Sequence, residues 1–430
     1  MHKTSVRTSS RRVLAAAAAL LGLTATAAAL PASVAQAEPA VSAPGTVIAD
    51  WARLTGEVVD PEGKSNSSET SIWHAVVSAG MYNAVVGIEG RYEPYRWNER
   101  GPRSASSVAA AATAAHDVLL HHFPKAKPRL ESAYAASLAE VPDGAAEEAG
   151  VEFGRRAAAH MVTLRKDDGF GLQVPFTASP SVGVWRPTPP AQQPFTSSWL
   201  GRLRPMLIER PDRFRPAAPP SLTSARYAAD LHEVKAVGGK TSTVRTPEQT
   251  ETARFFTTVD LQGALADRAE RHGLDLVDTA RLFAAVNTVQ VDAAIAAWDA
   301  KLHYGSWRPV TAIREAADDG NPLTEADPAW EPFLVTPSHP DYLSGHTTTA
   351  GALVRTLMTL SDHPSLDLRI ASAMLKKTRH YQVPGHYTSD VEGARMWGGI
   401  HTRTANEAGT MTGERVAAWA LARNFRPLTA

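Results

Sequence analysis

Residues 275–303 constrain this fold more than any other part of the chain. Leu276, Thr279, Leu282, Phe283, Val286, Val289 and Ile295 recur at steps of three and four, the spacing that lays an apolar stripe along one face of an α-helix. The same spacing covers residues 71–86, 105–123, 127–139, 144–166, 227–237, 247–256, 345–361, 365–379, 390–397 and 402–424. Val and Ile alternation over strand lengths is nearly absent, so the expected fold class is all-α. Residues 173–220 are rich in Pro, Trp and Gly and carry no period; their Trp and Phe content reads as a packed loop, not a flexible linker. A Pro/Asp/Gly loop runs over residues 318–343. The expected architecture is two packed helical bundles. Residues 38–240 form the first bundle with its Trp/Pro-rich loop, and residues 241–430 form the second, which holds the site.

The first 37 residues read as an export leader. Lys3, Arg7, Arg11 and Arg12 form a positive start, residues 13–30 are Ala/Leu-rich and uncharged, and Ala35-Gln36-Ala37 is a small-x-small cleavage site. Ser10-Arg11-Arg12-Val13-Leu14 also fits a twin-arginine signal. The expected location is therefore extracellular. Without the leader, 40 basic side chains face 44 acidic ones, a net charge of −4. That balance argues against nucleic acid or anionic lipid as the main partner, and no later apolar run is expected to reach membrane-spanning length. There is no cysteine, so neither disulfides nor a thiolate metal site can form. A metal would have to be held by His, by carboxylates, or as an oxyanion through hydrogen bonds.

Three short stretches share one chemical idea. Lys301 stands seven residues before Arg308, with Gly305 between and Pro309 after. Tyr342-Leu343-Ser344-Gly345-His346-Thr347 opens a helix, and Arg395 precedes His401 by six residues. A small-residue turn at a helix start offers free N–H groups and the positive end of the helix dipole. Ser344 adds a hydroxyl, Gly345 permits close backbone approach, and Lys301, Arg308 and Arg395 supply charge and forked donors for an anion with several oxygens. His346 and His401 remain for proton transfer and for bonding a central atom.

This triplet resembles the three-part motif of the vanadium-dependent haloperoxidases, which share a superfamily with type-2 phosphatidic acid phosphatases and bacterial acid phosphatases. Further likeness to actinobacterial members lies in Trp307-Arg-Pro-Val-Thr-Ala-Ile, Gly320-Asn-Pro, Trp330, Thr336-Pro-Ser-His-Pro-Asp-Tyr, Ala79-Gly-Met-Tyr-Asn-Ala-Val and Gly90-Arg-Tyr-Glu-Pro-Tyr. The resemblance implies vanadate as cofactor, held by Lys301, Arg308, Ser344, Gly345 and Arg395. His401 would bond vanadium, His346 would act as acid-base group, and Lys301 would polarise hydrogen peroxide. A halide would then be oxidised to hypohalous acid, which halogenates a small organic acceptor; a homodimer is an assembly the resemblance suggests. Trp298 and His339 are the expected halide or substrate pocket, and His339 tilts the expectation to bromide over chloride at neutral pH, with chloride activity rising as His339 protonates.

The same residues also suit phosphate. In that alternative His401 is the nucleophile of an acid phosphatase and His346 protonates the leaving group. A second alternative is a non-catalytic oxyanion binder. Three positions depart from the family pattern: Leu343 for Pro, Ala394 for Ser, and Ala405 for the Asp that supports the apical His. A metal-bound His needs such an acceptor, and Asn406 and Glu407 are the nearest candidates. His303, His380 and His386 read as packing or surface residues. Asp318-Asp319-Gly320-Asn321 reads as a turn, because it lacks the later acidic ligands of a calcium loop.

Overall fold

The computed structural model describes residues 45–61, 67–361 and 363–428; the leader expected over residues 1–37 lies outside them. Helices α1 (Thr46–Val59), α2 (Ser67–Glu89), α3 (Ser107–His122), α4 (Lys127–Leu138) and α5 (Ala145–Arg165) form the first bundle. The second contains α6 (Ala225–Gly238), α7 (Pro247–Phe255), α8 (Leu261–Arg271), α9 (Leu276–Tyr304), α10 (Pro309–Arg314), α11 (Gly345–Leu360), α12 (Pro384–Trp397) and α13 (Arg403–Leu421). Among the described residues the fold is all-α apart from a small antiparallel sheet, ordered β1 (Val259–Asp260), β2 (Leu368–Ser372) and β3 (Lys377–Tyr381).

Helix α9 is the shared beam. It packs on α2 of the first bundle and on α11 and α13 of the second, so it is buried on nearly every side and its apolar positions join one core cluster with Trp51, Tyr82 and Val118. Asp275 caps its start by accepting from the Asp278 N–H. Gly305 ends it in the left-handed conformation, φ 56°, a C-terminal turn that glycine adopts without strain. That turn redirects the chain so that Lys301 and Arg308, seven residues apart, reach one place.

Residues 173–220 are mostly irregular and partly buried, as their aromatic content suggested. Trp185, Trp199, Leu203, Met206 and Phe214 are all buried. The loop is fastened to α9 by Asp292, which is 0% exposed. Its carboxylate accepts from the backbone N–H groups of Met206 (2.6 Å), Leu207 (2.7 Å) and Ile208 (2.7 Å).

Two expectations need correction. Residues 365–379 contain no α-helix; β2 and β3 form a hairpin there, registered with Leu368 opposite Tyr381 and Ser372 opposite Lys377. Leu368, Ile370 and Ser372 point inward and are at most 1% exposed, a period of two that pairing with β1 selects over the local helical spacing. Also, residues 68–89 of α2 are long and apolar enough to cross a membrane, yet 89% of the window is buried inside the molecule. Packing between α1, α3 and α9 accounts for that hydropathy.

Candidate oxyanion site

The three motif stretches converge at the C-terminal end of α9. Lys301 is fully buried; its ammonium donates to the carbonyls of Pro340 (2.6 Å) and Asp341 (3.1 Å). That uses two of its three N–H donors. Burial and the Arg308 charge together pull its pKa well below the usual lysine value, against the opposing pull of Asp341.

Arg308 is also 0% exposed. Nε donates to the His339 carbonyl (2.6 Å), Nη2 to His339 Nδ1 (2.9 Å), and Nη1 to the Ile400 carbonyl and to His401 Nε2 (3.1 Å). Burial lowers its pKa to about 10. Arg395, on α12, donates Nη2 to the Phe256 carbonyl (3.0 Å), while its buried Nε has no partner. Burial lowers its pKa to about 10 as well. Such a concentration of desolvated positive charge is expensive unless an anion shares it.

Ser344 occupies the N-cap of α11 but forms no side-chain cap bond, and its buried Oγ is without a partner. Serine at that position ordinarily accepts from the first turn. Its backbone is tied down instead: the Ser344 N–H donates to Ala405 O (3.1 Å), and Thr347 Oγ1 donates to Asn406 O (2.9 Å). Gly345 lies directly under Trp298, where a Cβ would stand 2.8 Å from the indole. No other residue type fits without moving that ring. His346 begins the exposed side of the site and lines a cavity of about 590 Å³. The Arg395 charge, with those of Lys301 and Arg308 behind it, pushes its pKa below 6.5.

His401 is 1% exposed, and its Nδ1 lies 2.6 Å from Asp341 Oδ1. With Nδ1 donating to the carboxylate and Nε2 facing Arg308, the lone pair sits on Nε2. Burial and the Arg308 and Lys301 charges keep the ring neutral by lowering its pKa well below 6.5. Asp341 is the residue that sequence reasoning missed. Thr402 Oγ1 donates to its second oxygen (2.9 Å), and burial pushes its pKa up to about 6, against Arg308 and Lys301. Neither Asn406 nor Glu407 plays the expected part: Asn406 Nδ2 donates to Glu392 O (3.2 Å), and Glu407 pairs with Arg226 at 2.8 Å. Asp341 stood inside a stretch already noted, Thr336–Tyr342 in sequence, and is its one acidic residue; the rule that a ligating His needs an acceptor could have singled it out.

Trp298 and His339 meet as expected, ring centroids 4.9 Å apart, and Trp298 lies 5.7 Å from the Lys301 ammonium. The expectation that His339 gains a proton in mild acid does not hold for this arrangement. Its Nδ1 accepts from Arg308, and burial, Lys301 and Arg308 all hold its pKa well below 6.5. Asp319, in turn, accepts from the Asn321 N–H and Thr324 Oγ1, the turn anticipated for that stretch.

The VCPO second helical-bundle domain model matches residues 281–429. The vanadium chloroperoxidase of Curvularia inaequalis is 40% identical over 86 residues, 18% of this chain and 14% of that protein. Over this region the chain is similar to the vanadium-dependent haloperoxidases. A solved structure of a bacterial vanadium-dependent iodoperoxidase superposes with a TM-score of 0.75 at 22% identity, over 90% of this chain and 98% of that one. An apo-type bacterial vanadium-dependent chloroperoxidase gives 0.65 at 19% identity, over 81% and 92%. At these identities the structural likeness establishes the haloperoxidase fold alone. The donor set fits vanadate independently of that likeness: an unpartnered Ser344 Oγ, an unpartnered Arg395 Nε and three buried cations surround one place.

Proposed function

We propose that this protein oxidises halide with hydrogen peroxide, dependent on vanadate, and delivers hypohalous acid to an organic acceptor. The observation that carries the reading is the surplus of buried donors at the site, where the Asp341 contact fixes the lone pair of His401 on Nε2, which here accepts from Arg308 and would turn to the metal once Arg308 holds the oxyanion. Lys301, Arg308 and Arg395 would hold the oxyanion by charge and by hydrogen bonds; Ser344 Oγ and the Gly345 N–H would donate to it, and His401 Nε2 would bond the metal. When bound, vanadate supplies Lewis-acid activation of peroxide without redox cycling. His346, exposed along the cavity wall, would pass protons between the site and solvent. Lys301, anchored on two carbonyls, keeps its remaining N–H for the peroxide. Arg308 shares Nη2 with His339, which leaves less of its charge for polarising peroxide, so bromide should be oxidised faster than chloride. If the leader is processed as its sequence suggests, this chemistry takes place outside the cell.

The test is a halide-oxidation assay on purified protein with and without orthovanadate, beside a chromogenic phosphate-ester assay. Vanadate-dependent bromide oxidation is the expected result. Ester hydrolysis inhibited by vanadate would instead establish the phosphatase chemistry, and no vanadate binding at millimolar concentration would remove the haloperoxidase reading.

A further inference from the structure

A second cavity, of about 310 Å³, is lined in part by Asp341 and shares no lining residue with the cavity at His346. Its volume lies at the lower end of small-molecule pockets, roughly 300–1,000 Å³. Helix α6 gives it Tyr227, Asp230 and Leu231, whose steps of three and four set them on one helical face. Leu222, Trp307 and Ala312 add an apolar wall, and Val182, 42% exposed, stands where the cavity meets solvent. The polar groups are acceptors short of donors. Asp230 is 4% exposed, and its oxygens meet the Thr404 N–H and Arg226 Nε at 3.3 Å each. Arg226 is held more closely elsewhere, by Thr404 Oγ1 (2.9 Å) and Glu407 (2.8 Å). An ionised carboxylate has about four acceptor positions, so Asp230 keeps capacity unused, and burial pushes its pKa up. Tyr227 is 8% exposed, and its buried hydroxyl has no hydrogen-bond partner.

We propose that this cavity is a second ligand site, separate from the oxyanion site, and that it binds a small organic cation: a primary ammonium on an apolar, aromatic body. The inference does not depend on which reaction the oxyanion site performs. Two carboxylates, Asp230 and Asp341, stand among the lining residues, and no Lys or Arg does. An anion is therefore repelled, and a neutral ligand leaves the buried Asp230 charge uncompensated. Asp341 is already committed to His401 and Thr402 and lies near the Lys301 and Arg308 charges, so Asp230 is the anchor. The ammonium donates to Asp230 and to the Tyr227 hydroxyl oxygen, while the body packs on Leu222, Leu231 and Trp307. Asp341 also borders both sites. A cation on one side of it and an oxyanion beside His401 favour each other, and such a coupling acts equally in both directions.

The experiment is calorimetric titration of the full chain at pH 7 with 2-phenylethylamine and with 2-phenylethanol, its neutral counterpart of nearly the same shape. The amine should bind about tenfold or more tighter than the alcohol, the difference a charge-assisted hydrogen bond makes. Asp230→Asn should bring the amine down to the level of the alcohol. Tyr227→Phe should weaken the amine by about fivefold, the net worth of one hydrogen bond. Ala294→Phe, which alters the cavity at His346, should leave amine binding unchanged and so separates the two cavities. Saturating orthovanadate should leave the amine affinity the same or raise it. Failure of the amine to bind at millimolar concentration, equal binding of amine and alcohol, full amine affinity in Asp230→Asn, or displacement of the amine by vanadate would each overturn the proposal. The comparison of amine with alcohol needs no variant, so it decides the matter even if Asp230→Asn does not fold.

Discussion

Helix α9 carries two buried charged clusters nine residues apart, and they are built on opposite plans. At Asp292 one carboxylate meets three backbone N–H groups, and its hydrogen bonds are complete within the protein. At Lys301 the cluster holds three buried cations and one carboxylate; Lys301 and Arg308 lie near that carboxylate, which is already taken by His401 and Thr402. Ser344 Oγ and Arg395 Nε are left without partners. A complete cluster fastens one element to another. A cluster with surplus buried donors is costly alone, and the missing acceptor is best supplied from outside. The comparison separates a structural polar site from a binding one without reference to residue type, since both use fully buried charges.

The largest effect expected from breaking the open cluster is on turnover. His346→Ala should retain vanadate yet lose ~10²–10⁴-fold in halide oxidation, the usual contribution of general acid–base catalysis. His401→Ala should lose vanadate altogether, read by metal analysis after gel filtration. Equal vanadate loss in both variants would show the two roles wrongly divided.

The first bundle predicts an effect of a different kind. His74 on α2 is buried, its Nδ1 has no partner, and burial alone lowers its pKa to about 4. A lowered folded pKa means that the unfolded chain takes up the proton first. Stability should therefore fall as pH drops from about 6.5 toward 4, by about 2–3 kcal/mol at pH 4.5. Denaturant titration of His74→Leu should show a flatter profile over that window, whereas an unchanged slope would put the acid sensitivity elsewhere. Asp292→Asn should cost about 1–3 kcal/mol, because its amide must face an N–H donor, and should leave vanadate affinity unchanged. A matching loss of vanadate would dissolve the distinction between the two clusters.

Asp341→Asn should weaken vanadate binding or activity by ~10–100-fold through His401 orientation, with the fold intact by circular dichroism. The smallest effect sharpens the comparison most. Ser344→Ala removes a hydroxyl that has no partner in the protein, so stability without vanadate should stay the same or rise. Vanadate affinity should fall by roughly 1 kcal/mol, the net worth of one hydrogen bond. A loss of stability larger than the loss of affinity would mean that Ser344 serves the fold.

Much of this protein was legible in the chain alone, because the relevant physics is local. Apolar residues at steps of three and four specify helices such as α9 and α13 wherever they lie. Trp298 and Lys301, three apart, had to share a face. The Ser344-Gly345-His346 turn had to open a helix, and Gly345 under Trp298 is the close approach that glycine permits. What depended on distant partners was not legible. Residues 365–379 read as helix by local spacing but supply paired strands, because β1, more than a hundred residues earlier in sequence, offers a ladder. Asp341 became the support of His401 because the end of α12 returns beside it, sixty residues along the chain. Ile72 became a wall of the site because α2 packs on α9. Hydrogen-bond satisfaction and cavity shape are properties of neighbours in space, and only the tertiary structure decides which neighbours those are.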